Sequence, residues 1–409
     1  MKHPMQRDAW TVRQYSIVIT TAVALLGLLW WGTRGEPSPS EGRQNAAESV
    51  QGTGAGGPTF TASMSDANEQ TDTPHQRLTA QWLEAKHRLD SYRTATQYPP
   101  ESQPIEAHAD NLKPFNPVVE NRPAISAQGT PIAGRNLVTS QDRVYVSGQD
   151  SVLLTVSMLD DQGHTTPLRI IRATAHEVQD SAHNHTVTSV AMQFDDRGAN
   201  GDLIARDGIY SARLQPAAQG FSNTQGTLRV DLDLQSDTGG PAHAFFDIIY
   251  SPHVPATWRG SVRETTNQGS LDFYLKAEMR DAGRYIVTAR AYDATGKPFA
   301  LLSFNDEVSA GPNEIRLTLF GKLIRDAKPA FPITLRDVEG YLLYENQFPD
   351  RAMMPRWAQT AYTSQPHAMT EFADTEWSSE QRQRYLNEYA LDVQKIEQSL
   401  QGLSGRTQP

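Results

Sequence analysis

Cysteine is absent from this chain of 409 residues. The absence excludes disulfides, iron–sulfur clusters, thiolate zinc sites and lipidation of a cysteine side chain. Stability must therefore come from hydrophobic cores of ordinary size. An exported protein without cysteine suits an oxidising compartment such as a bacterial periplasm, where only methionine would be left to oxidise.

The chain also lacks an excess of positive charge and any recognisable catalytic motif. Its 37 basic and 47 acidic residues give a net charge of −10, which disfavours nucleic acid or an anionic membrane surface as the main partner. There is no G-x-S-x-G, no H-E-x-x-H and no phosphate-binding glycine loop. The spacing of the aspartates and histidines selects neither a triad nor a carboxylate pair. We therefore predict that the protein is not an enzyme.

One uncharged hydrophobic run, YSIVITTAVALLGLLWWG at residues 15–32, stands close to the N-terminus. As a helix it would span about 27 Å, close to the hydrocarbon thickness of a bilayer. Trp30 and Trp31 would lie at the headgroups, and basic residues precede the run. The run predicts a single-pass anchor in a bacterial inner membrane, with residues 1–14 cytoplasmic and the bulk of the chain periplasmic.

Two other interpretations of residues 15–32 are a cleaved signal peptide and a buried core helix. A signal peptide has a shorter apolar stretch and ends at small residues, whereas bulky Trp30 and Trp31 occupy that place here. The anchor interpretation makes the membrane a partner through residues 15–32.

Residues 33–140 are expected to connect this run to the folded domains. Residues 33–75 are rich in Gly, Ser, Pro and Gln, which is typical of a flexible linker. Residues 76–140 predict a short helix with an apolar stripe from Leu78 to Tyr92, followed by a proline-rich extended segment. We expect that segment to pack on the domain that follows it.

From residue 141 onward the hydrophobic pattern changes to a period of two. In residues 227–235, for example, Leu228, Val230 and Leu232 alternate with polar residues. About seven such strands in residues 141–252 predict an immunoglobulin-like β-sandwich. A proline-containing break precedes a second strand-rich unit, residues 253–347, with a hairpin turn at Asp293-Ala294-Thr295-Gly296. The predicted fold class is mainly β, with two tandem immunoglobulin-like sandwiches.

Residues 348–409 predict an irregular segment and then a C-terminal helix. The helix has a capping-box-like start at Ser378 and an apolar stripe from Tyr385 to Leu400. The stripe could pack on the second sandwich or make an intermolecular contact. The predicted architecture thus combines an N-terminal transmembrane helix, a short pre-domain helix, two sandwiches and this final helix.

The most distinctive motif begins at Asp195 and reads DDRGANGDLIARDGIY through Tyr210. It resembles the D-D-x-G-x-x-G-D-x-x-x-x-D-G-x-Y signature of bacterial exported, choice-of-anchor-type immunoglobulin-like modules. In the second unit, the stretch from Leu319 to Ile324 resembles the strand pattern that follows this signature. The resemblance covers roughly residues 140–345. It implies the fold, and it implies little about function, because such modules serve as spacers, adhesins and accessory domains.

The motif concentrates hard oxygen ligands between glycines. Calcium prefers six to eight such oxygens, and the candidate ligands are Asp195, Asp196, Asn200, Asp202 and Asp207. The spacing is not that of an EF-hand, and Asp with Gly also builds turns without any metal. No other cofactor is expected. A second cluster, His164, His176, His183 and His185, could bind zinc or copper or lie solvated in loops.

These observations predict a membrane-tethered periplasmic protein that acts by binding, with another envelope protein as its partner and without nucleic acid. The alternatives are a calcium-dependent ligand- or glycan-binding module and a passive structural spacer.

Overall fold

The computed structural model of the protein describes residues 73–126, 129–178, 189–237 and 240–404. It is 46% strand and 20% helix, and the protein is therefore mainly β, as predicted. The helices are α1 (Pro74–Ala95), α2 (Gly321–Ala327) and α3 (Glu380–Ser404), with 3₁₀ helices at Ile105–Asn111 and Met369–Glu371.

The strands of the described residues, in chain order, are β1 (Ser102–Pro104), β2 (Val118–Ile125), β3 (Pro131–Gln141), β4 (Tyr145–Ser147), β5 (Val152–Leu159), β6 (Thr165–Thr166), β7 (Leu168–Glu177), β8 (Ser189–Ala191), β9 (Tyr210–Leu214), β10 (Gly226–Ser236), β11 (Pro241–Ser251), β12 (Ala256–Asn267), β13 (Ser270–Met279), β14 (Gly283–Tyr292), β15 (Pro298–Val308), β16 (Gly311–Leu319), β17 (Thr334–Leu343), β18 (Arg351–Met353) and β19 (Tyr362–Thr363).

Strands β2 to β11 form one β-sandwich, called sandwich 1. One sheet has the order β2-β3-β5-β6, with β9 also paired to β5, and the other has the order β4-β11-β10-β7-β8. The alternation in β10 decides which face is buried: Leu228, Val230 and Leu232 are fully buried, and the intervening polar residues face outward. The buried faces of both sheets enclose one hydrophobic core.

Strands β1 and β12 to β19 form the second β-sandwich, called sandwich 2. Its larger sheet has the order β1-β15-β14-β17-β18, with β19 also paired to β17, and its smaller sheet is β12-β13-β16. A separate hydrophobic core lies between these sheets. Strand β1 pairs with β15, with Ser102 opposite Leu302. Sandwich 1 is therefore inserted between the first two strands of sandwich 2.

This insertion corrects two sequence-based expectations. The segment around β1 packs on sandwich 2 rather than on the domain that follows it in the chain. Sandwich 1 begins at Val118 rather than at residue 141, because β2 and β3 already belong to it. Pro123 lies in β2, at the edge of its sheet, where a missing backbone N–H breaks no interior ladder.

Arg290 holds the segment before β2 against sandwich 2. Its side chain is fully buried. Its guanidinium donates to the carbonyl of Asn111 at 2.8 Å, the carbonyl of Asp337 at 2.9 Å and the carboxylate of Glu339 at 3.1 Å. The acceptor on Asn111 belongs to the 3₁₀ helix Ile105–Asn111, so this arginine ties that helix to the larger sheet.

Direct contacts join the two sandwiches through β4 and β18. The Met353 amide donates to Ser147 Oγ at 2.9 Å. The Arg351 guanidinium lies 4.7 Å from the ring of Tyr145 and 4.6 Å from the ring of Tyr341. The Asp350 carboxylate accepts from its neighbour Arg351 at 2.7 Å and, across the contact, from the Tyr145 hydroxyl at 3.4 Å. The contact combines cation–π stacking with a charge-assisted hydrogen bond.

Helices α1 and α3 pair with each other in an antiparallel arm. The Trp82 indole donates to Glu397 Oε1 at 2.9 Å, and the ring of Tyr92 lies 5.8 Å from that of Tyr385. The contacting residues follow the alternating four- and three-residue spacing of a coiled coil, which on α1 comprises Leu78, Trp82, Ala85, Leu89 and Tyr92. The expectation that the C-terminal stripe packs on the second sandwich is corrected: its partner is α1.

Residues 361–377, called the strap, begin with β19 at the edge of sandwich 2 and lead toward α3. The strap amides of Ala361 and Ser364 donate to carbonyls of sandwich 2 at 2.9 and 2.8 Å. Phe372 is 4% exposed and belongs to the core of sandwich 2. At its far end the Trp377 amide donates to the carbonyl of Gln97, just after α1. The strap thus joins sandwich 2 to the base of the arm.

The stretch Leu319–Ile324 does not continue as a strand. Strand β16 ends at Leu319 and α2 begins at Gly321. Leu323 and Ile324 are both buried, which adjacent residues of a half-buried strand cannot both be, because they point to opposite faces.

None of the helices within residues 73–404 is both long enough and apolar enough to cross a membrane. Residues 1–72, which include the predicted anchor at 15–32, lie outside the described residues. Helices α1 and α3 carry charged residues along their length and pair with each other in the arm. The predicted localisation as a single-pass inner-membrane protein is corrected accordingly.

Candidate functional site

The predicted calcium motif forms a loop between β8 and β9 in sandwich 1. We call residues 194–210 the aspartate loop. Asp195 and Ser211 exchange two backbone hydrogen bonds of 2.8 and 2.9 Å. Since Ser211 lies in β9, which pairs with β5, both ends of the loop are attached to the sheet.

Three of the five candidate ligands converge inside the loop. Carboxylate oxygens of Asp196, Asp202 and Asp207 lie within 4.8 Å of one another. Oxygens bound to one calcium ion at about 2.3–2.6 Å each would be separated by no more than about twice that distance. The three carboxylates therefore fit around a single ion, which would offset their mutual repulsion.

The same carboxylates also accept hydrogen bonds from the loop backbone. Asp202 accepts from the amides of Gly198 at 2.6 Å and Ile204 at 3.2 Å. Asp196 accepts from the amides of Asp207 and Gly208 at 3.2 and 3.3 Å. These are the bonds by which aspartates stabilise tight turns. The loop conformation is thus specified by hydrogen bonds alone, and both the calcium and the turn interpretation remain open.

Asp195 lies apart from the three converging carboxylates. It is 4% exposed, and its carboxylate forms a 2.6 Å ion pair with Arg197. The hydrogen bond from the Arg197 side chain holds the pKa of the Asp195 carboxyl below its usual range. Asp195 therefore already has its counter-charge.

Asn200 contributes a backbone conformation to the loop. It is exposed and has a positive φ of 53°, which Asn tolerates better than most residues. Gly201 follows with φ of 95°, and a Cβ there would overlap Leu153 Cδ1. This Asn-Gly pair makes the turn that brings Asp202 back toward Asp196.

Two apolar side chains project from the loop directly after Asp202. Leu203 is 93% exposed and Ile204 is 64% exposed. The Ile204 amide donates to Asp202 Oδ1, so this pair stands on a hydrogen-bonded base. Leu203 and Ile204 are not among the candidate residues predicted from the sequence. An adjacent Leu-Ile pair within an otherwise polar, aspartate-rich loop was the available signal.

The predicted histidine cluster does not converge in the described residues. His164 is 79% exposed and lies 3.3 Å from Asp160, whereas His176 lies 2.7 Å from Asp231 on the neighbouring strand. His183 and His185 fall outside the described residues. Within residues 73–404 as described, Asp196, Asp202 and Asp207 form the single group whose ligand atoms converge sufficiently for a metal ion.

No family model and no curated protein matches the chain. Among solved structures it is similar to a DUF4785 family protein from Legionella pneumophila, with 12% identity and a TM-score of 0.35 over 58% of each chain. Similarity to trypsin-activated α2-macroglobulin from Escherichia coli has 11% identity and a TM-score of 0.20, over 57% of this chain and 16% of that one. These similarities carry no argument about function.

Proposed function

We propose that this protein is a non-catalytic interaction protein whose two sandwiches, immunoglobulin-like in type, present a binding surface to a protein partner. The observation that carries the proposal is the exposed pair Leu203 and Ile204 on the aspartate loop. Burying one such side chain contributes about 1.5–3 kcal/mol. Two adjacent side chains on one loop therefore make an energetically substantial contact.

The hydrogen bonds of the aspartate loop favour a binding role for Leu203 and Ile204 over incidental exposure. Asp202 accepts hydrogen bonds from amides on both sides of the turn, and the ends of the loop are attached to β9. A loop that is already ordered loses little conformational entropy when a partner covers it. The pair is thus presented in a fixed position, which suits a recognition surface.

Replacing both residues in a Leu203→Ser/Ile204→Ser variant is expected to abolish chemical crosslinking to the partner without changing the melting temperature. The thermal result follows because neither side chain is buried in the fold. Crosslinking in the native cell followed by mass spectrometry measures the first effect, and a thermal melt of the purified protein measures the second.

Leu391→Ser provides the matched control, because Leu391 is also an exposed leucine, at 53%, but lies on α3. It should retain the wild-type crosslinks. A passive spacer would tolerate the double substitution in the loop, so unchanged crosslinks in that variant would exclude the proposed surface.

The second candidate function is calcium-dependent binding through the same loop. It is favoured by the convergence of Asp196, Asp202 and Asp207. An ion at this position would neutralise the like charges of these carboxylates, one of which, Asp202, accepts from the Ile204 amide. Calcium would then add to the hydrogen bonds that hold the loop and couple ion concentration to partner binding.

Calcium is expected to raise the melting temperature of the chelator-treated protein, because an ion that binds only the native state stabilises it by about 2.7 kcal/mol at a hundredfold excess over its dissociation constant. Asp207→Asn should remove this response, since the amide retains an acceptor for the Ile209 N–H but loses the charge. Differential scanning calorimetry with and without calcium measures both.

The matched control for the calcium experiment is Asp161→Asn, which removes the same charge in the turn between β5 and β6. This variant should respond to calcium like the wild type. A melting temperature that is the same in chelator and in millimolar calcium would leave the loop with turn chemistry alone.

A further inference from the structure

His367 lies in the strap between two carboxylates from different elements. Its Nε2 donates to Glu264 Oε1 on β12 at 3.2 Å, and its Nδ1 donates to Glu371 Oε2 on the following 3₁₀ helix at 2.8 Å. An ionised carboxylate can only accept hydrogen bonds. Both contacts are therefore satisfied together only when both ring nitrogens carry a proton, which is the imidazolium form.

This histidine is largely enclosed. The side chain of His367 is 13% exposed and that of Glu264 is 9% exposed, whereas Glu371 is 43% exposed. The rings of Phe331 and Phe372 lie 5.7 and 5.8 Å from the imidazole. Two aromatic walls thus limit the water that could replace either carboxylate as a partner.

Glu264 depends on His367 for its charge balance. Its Oε1 accepts from His367 and from the Gln365 amide, whereas its Oε2 is buried without a hydrogen-bond partner. A buried carboxylate is costly unless an opposite charge accompanies it. Loss of the proton from His367 would leave Glu264 with one amide donor, so the enclosed pair would be strongly destabilised.

Other hydrogen bonds near His367 also attach the strap to its neighbours. Arg325 on α2 donates to the carbonyl of Met369, and the Ala373 amide donates to the carbonyl of Gly269, each at 3.0 Å. Both hydrogen bonds involve backbone atoms of the strap, and neither uses the imidazole of His367. The His367 contacts are the ones in this set that depend on a proton.

We propose that His367 is a proton-operated latch that fastens the strap to sandwich 2 and loosens it when the imidazole becomes neutral. The facing groups are Glu264 from β12, Glu371 from the 3₁₀ helix, Arg325 from α2 and Tyr362 from β19, whose phenol lies near Glu264. Because the strap continues into α3, the latch controls how firmly the base of the arm is held.

The direction of the pH dependence follows from the two shifted groups. Burial opposes the charge on His367, but the hydrogen bonds to Glu371 and Glu264 outweigh it and raise the pKa above 6.5. A raised pKa stabilises the latch fully below 6.5, and this stabilisation is lost as the pH rises through the folded value. The His367 hydrogen bond lowers the pKa of Glu371 below 4.5, so its contribution is lost only in stronger acid. The latch is therefore closed at pH values above the folded-state pKa of Glu371 and below the folded-state pKa of His367.

Hydrogen exchange of the full chain, followed by mass spectrometry of strap peptides, tests the proposal. Protection of residues 364–373, corrected for intrinsic exchange rates, should fall severalfold as the pH rises from about 6 to about 9. His367→Gln should show low protection that does not vary over this range. His164→Gln, which changes an exposed histidine on sandwich 1, should retain the wild-type profile.

Glu371→Gln provides a second variant with a milder effect, because Glu371 is partly exposed. It removes one carboxylate from His367 and should move the loss of strap protection to lower pH. It also keeps the proposal testable if His367→Gln does not fold. Strap protection that is unchanged between pH about 6 and about 9, or a pH profile that survives in His367→Gln, would overturn the latch.

Discussion

Replacing Arg290 with methionine should lower the free energy of unfolding by about 3–5 kcal/mol, the range for removing one partner from a buried ion pair. The guanidinium is fully buried and donates to three acceptors on two other elements: the carbonyl of Asn111 in the 3₁₀ helix, and the carbonyl of Asp337 and the carboxylate of Glu339 on β17. Methionine fills much of the volume but donates no hydrogen bond, so all three acceptors lose the hydrogen bond from Arg290, and Glu339 keeps only the one from the Thr288 hydroxyl. Urea denaturation measures the loss.

The same substitution should detach the 3₁₀ helix Ile105–Asn111, because the Arg290 contact to Asn111 ties it to the sheet. Limited proteolysis would then cut within residues 98–117 before the sandwiches unfold. Arg263→Met provides the control, since the ion pair of Arg263 with Glu314 is half exposed and should matter little. Equal stability of the Arg290 and Arg263 variants would contradict the assigned role.

The burial of Arg290 shows how far the sequence could predict this fold. In β14, Tyr285, Val287 and Ala289 alternate along the strand and are fully buried. By the same alternation Arg290 belongs on the outer face, where a charged residue is expected to be solvated. It is buried because residues 105–111 cover it, and they precede it by some 180 positions in the chain. Local periodicity in β14 carries no information about a covering segment so far away in the chain.

Gly321→Ala is the second substitution with a large expected effect, a destabilisation of about 1–3 kcal/mol or more through overpacking. A Cβ at Gly321 would overlap the carbonyl oxygen of Gly269 and approach the amide nitrogen of Ala373 to 2.9 Å. Both neighbours are backbone atoms, which cannot rotate away as a side chain can. The start of α2, the β12–β13 turn and the strap would have to separate. Chemical denaturation measures the loss of stability.

Gly402→Ala is the matched control for this glycine. Gly402 lies in α3 with no atom within 4 Å of the added Cβ. Alanine is a better helix former than glycine there, so the same substitution should stabilise the protein by up to about 1 kcal/mol. The same glycine-to-alanine change is thus expected to lower the stability at residue 321 and to raise it at residue 402. A destabilisation at Gly402 as large as that at Gly321 would show that the backbone contact is not the cause.

The candidate site was predictable in part. The motif located the aspartate loop, and its glycines indicated the turns that the loop makes. The separation of Asp195 from the other carboxylates could not be foreseen, because it depends on the strand bridge to Ser211 and on the side chain of Arg197. The contact between His367 and Glu264 could not be predicted either, because the two residues are more than a hundred positions apart in the chain.

The partner of α3 was ambiguous for a related reason. The spacing from Tyr385 to Leu400 predicted an apolar stripe, but a stripe does not name the surface that covers it. Its cover, α1, lies some 300 residues upstream, beyond both sandwiches. Sequence patterns therefore predicted the helices and strands themselves better than they predicted which of them pack together.

The antiparallel arm has a mechanical consequence. Because α1 and α3 run in opposite directions, Pro74 and Ser404 lie at the same end of the arm. A pulling force applied across these two positions would separate the helices one turn at a time, as in unzipping. The tension would next act on β1 where it pairs with β15, in sandwich 2. Sandwich 1, inserted after β1, would be loaded last, so the aspartate loop would keep its shape while the arm yields.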